Sequence, residues 1–243
     1  MPSIIREHRS PNFGPRKADH GTVGIRHLLI HYTGMKTPGE ALARLCAADS
    51  GVSAHYLVDE DGTIYGLIDD NDRAWHAGVG FWAGTRDINS TSIGIEVVNP
   101  GHEYGYRPFP AIQIEAVIDL AQDIVRRHGI AATAVLGHSD IAPSRKQDPG
   151  ELFPWAELAA RGIGIWPTEM GTSSPSTTVD WSALSRIGYA VPNGPGADIL
   201  DPASGAQDVI TAFQRRFRPS KVDGLIDPET AARITAVAAA YAT

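Results

Sequence analysis

Short apolar runs alternate with stretches of helical period through the first two thirds of this chain, and that alternation leaves few architectures open. Arg26-His27-Leu28-Leu29-Ile30-His31-Tyr32, closed by Thr33-Gly34, suits a buried strand. Residues 55–58 and 63–68 read as a hairpin with Asp61-Gly62 at its turn. Residues 91–98 form the next strand, and 133–136 a shorter one. Between them, residues 38–48 carry Pro38 at a helix start, with Leu42, Leu45 and Cys46 on one face. Residues 111–128 place Ile114, Val117, Ile118, Ala121 and Val125 at helical spacing, and Gly129 stops that helix. The lead-in, residues 1–24, is predicted irregular, and 139–154 is predicted a loop rich in Pro and Asp. The whole predicts an α/β fold, a mixed β-sheet flanked by helices.

Composition shifts at residue 167. The Ser/Thr/Pro/Gly-rich stretch that follows has almost nothing to bury, so 168–180 reads as a linker between a domain at 1–167 and a small unit at 181–243. Helical patterns at 181–187, 206–217 and 228–241 predict that this unit is a three-helix bundle. Hydrophobic residues at 42% exclude a chain disordered throughout. The net charge of −7 argues against a nucleic-acid binder, and no apolar run reaches the roughly 18 residues of a membrane span. A single cysteine, Cys46, excludes an internal disulfide and a Cys-rich zinc site, which turns attention to the nine histidines. The first residues lack the pattern of a secretory signal, which points to the cytoplasm; with a leader removed, the periplasm or cell wall would be expected instead.

His31, His138 and Asp148 are either zinc ligands, each histidine ending an apolar strand and the aspartate following on a loop long enough to fold back, or hydrogen-bonded structural residues. Two imidazoles and one carboxylate leave a tetrahedral zinc its fourth position for water, the catalytic arrangement. Glu96 is out of place in Ile93-Gly94-Ile95-Glu96-Val97-Val98. It is either the wet face of an edge strand or a general acid/base whose pKa is tuned by burial. Lys146 is either a solvated loop lysine or a cation that stabilises an oxyanion. His76, between Trp75 and Ala77-Gly78, has the neighbours of a substrate groove or of a structural histidine, and His55 is equally open.

Six segments occur in one order: Leu29–Thr33 around His31, Val52–Val58 around His55, Ala74–Gly78 around His76, Thr91–Glu96, Val135–Pro143 around His138, and Arg145–Gly150 around Asp148. Together they resemble the zinc-dependent N-acetylmuramoyl-L-alanine amidases of the type 2 amidase family, over about residues 24–167. The resemblance implies one zinc per chain on His31, His138 and Asp148, catalytic roles for Glu96 and Lys146, and hydrolysis of the amide between N-acetylmuramic acid and L-alanine. His55, Trp75 and His76 are the expected substrate contacts. The expected partner is peptidoglycan or soluble muropeptides, including the 1,6-anhydro form. The tail, with Ala212-Phe213-Gln214-Arg215-Arg216-Phe217 and Asp223-Gly224, resembles the three-helix peptidoglycan-binding domain fused to such amidases. A non-catalytic peptidoglycan-recognition protein and a wall scaffold are the rival readings, because the same fold serves recognition without zinc.

Overall fold

The computed structural model describes residues 2–168 and 178–242, so most of the expected linker at 168–180 lies outside the described residues. In chain order the strands are β1 (Ile4–Ile5), β2 (Phe13–Pro15), β3 (His27–Tyr32), β4 (Tyr56–Val58), β5 (Ile64–Gly66), β6 (Asp72–Ala74), β7 (Ser92–Val97) and β8 (Val135–Gly137). The helices are α1 (Pro38–Cys46), α2 (Ile88–Thr91), α3 (Gly101–Tyr104), α4 (Ala111–His128), α5 (His138–Ile141), α6 (Trp155–Ala160), α7 (Trp181–Ile187), α8 (Gly205–Phe217) and α9 (Pro228–Ala240). Local chemistry explains several boundaries. Thr37 caps α1 by accepting the Glu40 N–H, with Pro38 just inside, and Asp227 caps α9 by accepting the Thr230 N–H ahead of Pro228. Helix α4 stops at Gly129, whose φ of 63° few other residues adopt without cost.

Six strands form one mixed sheet in the order β1-β5-β4-β7-β3-β8. Strands β4, β7, β3 and β8 run parallel, and β5 returns antiparallel to β4 as the Asp-Gly hairpin requires. One face of the sheet presents Leu28, Ile30, Ile93, Ile95, Val97 and Val135 to Ile114, Val117, Ile118, Ala121 and Ile124 of α4 and to Trp155 and Leu158 of α6. Burying an aliphatic side chain of this kind stabilises the fold by roughly 1.5–3 kcal/mol, which makes this interface the main core.

The opposite face is divided. Leu57 packs with Ala41 and Leu45 of α1. Leu29 and Leu136 share a cluster with Ile141 and with Leu184, Ile187, Phe213, Phe217 and Ile234 of the tail. The tail is three-helical, as its periodicity predicts, but its apolar faces close on the sheet rather than only on each other. The tail thereby packs on the domain at 1–167. Helical periodicity marks an apolar face without saying which surface covers it.

The lead-in is not wholly irregular. Strand β1 adds parallel to β5 at the sheet edge, and β2 pairs antiparallel with β6 in a separate ribbon. Two- and three-residue strands are too short to carry a visible alternation. Strand β7 lies between β4 and β3, which removes the edge-strand reading of Glu96.

Candidate active site

Strands β3, β7 and β8 deliver His31, Glu96 and His138 to their carboxyl ends, where ligands of open α/β sheets characteristically bind. His31 and Glu96 are register partners on neighbouring parallel strands, so their side chains leave the same face. His138 opens α5 directly after β8. The 139–154 loop then returns Asp148, and the Ser139 N–H donates to the Asp148 carbonyl at 2.9 Å.

The result is a buried triangle. His31 Nδ1 lies 2.9 Å from His138 Nδ1 and 3.0 Å from Asp148 Oδ2, and the His138 Nδ1 to Asp148 Oδ2 distance is 2.9 Å. The surrounding hydrogen bonds assign the protons. His138 Nε2 donates to the Ala77 carbonyl at 2.9 Å, leaving Nδ1 a bare lone pair. Ser92 Oγ donates to the Ile88 carbonyl and so accepts from His76 Nε2 at 3.4 Å; His76 Nδ1 then accepts from His31 Nε2 at 3.0 Å. His31 Nδ1 is therefore also unprotonated. Burial, followed by the neighbouring His138 ring, pushes His31 down to about 4, which keeps the ring neutral. Asp148 Oδ2 supplies the third donor atom of the triangle. Three lone-pair atoms thus converge with no proton to share, a donor set suited to a divalent cation such as zinc.

Around the triangle opens a cleft of about 440 Å³ lined by Trp75, His76, Glu96, Lys146 and Arg44 among others. Among the described residues, Glu96 Oε2 is buried with no hydrogen-bond partner. Burial raises the Glu96 carboxyl well above its ordinary value; nearby Asp148 adds to this and Lys146 opposes it. A buried carboxyl without a partner beside such a triangle has the chemistry of a general acid/base.

The expected substrate contacts separate. Trp75 lines the cleft. His76 reaches its wall but is committed to His31, and Gly94 makes room for it: a Cβ there would sit 2.6 Å from the His76 ring. That approach gives the glycine of Ile93-Gly94-Ile95 a packing reason. His55 is fully buried and does not reach the cleft, so the structure corrects its expected role. Its Nδ1 accepts the Gly94 N–H at 2.9 Å, and its Nε2 faces the Asp72 carbonyl and the Arg16 guanidinium. No local pattern marks the Ala77 carbonyl, Ser92 or Arg16 as partners of His138, His76 and His55. Only the polar residues of an otherwise featureless lead-in could have pointed to Arg16.

His55 makes acid stability a testable matter. Burial, then Arg16, pushes its pKa from 6.5 down to about 3. Between those values the unfolded chain binds a proton that the folded chain refuses, so stability is full above about pH 6.5 and falls towards pH 3. Urea unfolding at pH 7 and pH 5 should show a smaller difference for His55→Gln than for the parent chain. Equal differences would mean that His55 does not titrate this way.

Strands of this topology ending in paired histidines, a carboxylate and a poised glutamate define a hydrolase of the amidase type. The chain belongs to the N-acetylmuramoyl-L-alanine amidase family, whose pattern matches residues 21–151. It is 38% identical to the N-acetylmuramoyl-L-alanine amidase AmiD of Escherichia coli (strain K12), over 93% of this chain and 87% of that protein. The structure of AmiD in complex with the substrate anhydro-N-acetylmuramic acid-L-Ala-D-γ-Glu-L-Lys is similar with a TM-score of 0.79 at 36% identity, covering 95% of this chain and 98% of that one. The structure of Pseudomonas aeruginosa AmpDh3 with anhydromuramic pentapeptide is similar with a TM-score of 0.78 at 33% identity, covering 90% and 94%.

Proposed function

We propose that this chain hydrolyses the amide joining the lactyl group of N-acetylmuramic acid, including its 1,6-anhydro form, to L-alanine of the stem peptide, with one zinc held by His31, His138 and Asp148. The observation that carries the reading is the proton-free donor triangle with the unpartnered Glu96 carboxyl in the same cleft. The substrates in the two similar complexes support the bond assigned. What a zinc ion would supply is Lewis acidity towards the scissile carbonyl and the attacking water.

The remaining chemistry belongs to the chain. His76 and the Ala77 carbonyl hold the two imidazoles with their Nδ1 lone pairs inward. Glu96 takes the proton from the attacking water and returns it to the leaving amine, without which an amide does not part. Lys146, in the cleft wall, meets the negative charge that develops on the carbonyl oxygen. We further assign the tail a role in retention on polymeric wall, a reading that rests on its sequence resemblance.

Incubation with an anhydro-muropeptide and with purified sacculi in parallel tests this reading. The expected product is a stem peptide with a free L-alanine amine, released in a zinc-dependent way, with the chain sedimenting with the sacculi. Intact substrate in both incubations with zinc-loaded protein would overturn the assignment.

A further inference from the structure

Helix α8 of the tail carries a cation on its apolar face: Arg216 follows Val209, Ala212 and Phe213 at helical spacing and is fully buried with them. Its guanidinium crosses to the sheet. Nη1 donates to Asp140 Oδ2 at 2.5 Å, and Nη2 donates to the Val135 carbonyl at 2.7 Å. The ring of Trp155 lies 4.4 Å from the guanidinium carbon. The tail's Tyr189 donates its hydroxyl to Asp140 Oδ1 at 2.6 Å. Asp140 also accepts the Gly137 N–H at 2.8 Å on Oδ2.

These bonds fall on both sides of His138. Val135 begins β8, an edge strand of the sheet that among the described residues has its one neighbour in β3. Gly137 and Asp140 bracket the turn in which β8 becomes α5 and from which the His138 ring projects. An edge strand of three residues has few bonds of its own to hold that turn. The planar fork of an arginine spans a carboxylate and a carbonyl at once, which the single ammonium of a lysine does not reproduce.

We propose that Arg216, seconded by Tyr189, is a positioning residue for the metal site: the tail sets the place of His138 Nδ1 through Asp140 and the Val135 carbonyl. The tail is then a structural part of the catalytic centre as well as an appendage. This inference rests on the reading of His31, His138 and Asp148 as metal ligands.

Zinc affinity of the full-length protein, measured by competition with a chromophoric chelator, tests it together with the visible spectrum of the cobalt(II) form. Folding of each metal-free variant is checked by circular dichroism at the working temperature. Arg216→Lys is expected to bind zinc about 10–100-fold more weakly and to shift the cobalt bands, the effect usual for partners that orient a ligand. Unchanged affinity and spectrum in a folded Arg216→Lys protein, whatever its melting temperature, would overturn the proposal and leave Arg216 a purely structural ion. Should Arg216→Lys fail to fold, Tyr189→Phe, which removes one hydroxyl from Asp140, carries the test. It is expected to weaken zinc binding about threefold, in line with one net hydrogen bond, and unchanged affinity there overturns the proposal equally. A parent chain that binds no zinc would sink the ligand reading itself, an outcome separate from a parent that binds and variants that bind as well.

Discussion

Glu96→Gln is expected to cleave a muropeptide about 10²–10⁴-fold more slowly than the parent chain, with metal content and thermal midpoint near wild type. Glutamine keeps the shape of the side chain and removes only its ability to carry a proton. Because Glu96 Oε2 has no hydrogen-bond partner among the described residues, the exchange breaks no bond at that atom, and little stability should be lost. Lys146→Ala should act in the same assay by lowering kcat more than it raises KM, since its charge is needed mainly as the carbonyl oxygen becomes negative. Turnover, metal stoichiometry and melting temperature decide the matter together. Near-wild-type turnover of Glu96→Gln would remove it from proton transfer, and loss of the metal would make it a ligand instead.

His31→Ala should abolish activity by a different route. It removes one corner of the triangle and leaves His138 and Asp148 as a two-donor site, so the protein should no longer retain about one zinc per chain through gel filtration. Zinc should raise the melting temperature of the parent chain but not of His31→Ala, because a ligand stabilises only the folded state that binds it. A chelator should silence the parent and added zinc restore it. Full activity of a metal-free parent by elemental analysis would refute the metal site and the catalytic scheme with it.

Much of the site is legible in the sequence because its chemistry sits where local patterns end. His31 and His138 close apolar runs, and Glu96 interrupts one, so strand periodicity alone brings all three to strand ends or faces. The helices at 111–128 and 181–187 follow from spacing and capping residues that act within a few positions of each other. The short strands of the lead-in lack such signals. Nor does any local pattern tell the solvent face of an edge strand from the C-terminal rim of a central one, which is what separated the two readings of Glu96.

Partners far apart in sequence were set by the tertiary structure. His31 meets His138 at a separation of 107 residues and Asp148 at 117, through a strand order that no single segment encodes. The same order makes His76 the partner of His31 as well as part of the cleft wall, sinks His55 beneath Gly94, and closes the tail's apolar faces on Leu29 and Leu136. Arg216 shows the division most clearly. Its place on the apolar face of α8 is written in the spacing from Val209 to Phe213, whereas its partner Asp140, 76 residues earlier, is not. Periodicity records which side of an element avoids water; only packing determines which buried polar groups from distant segments satisfy one another.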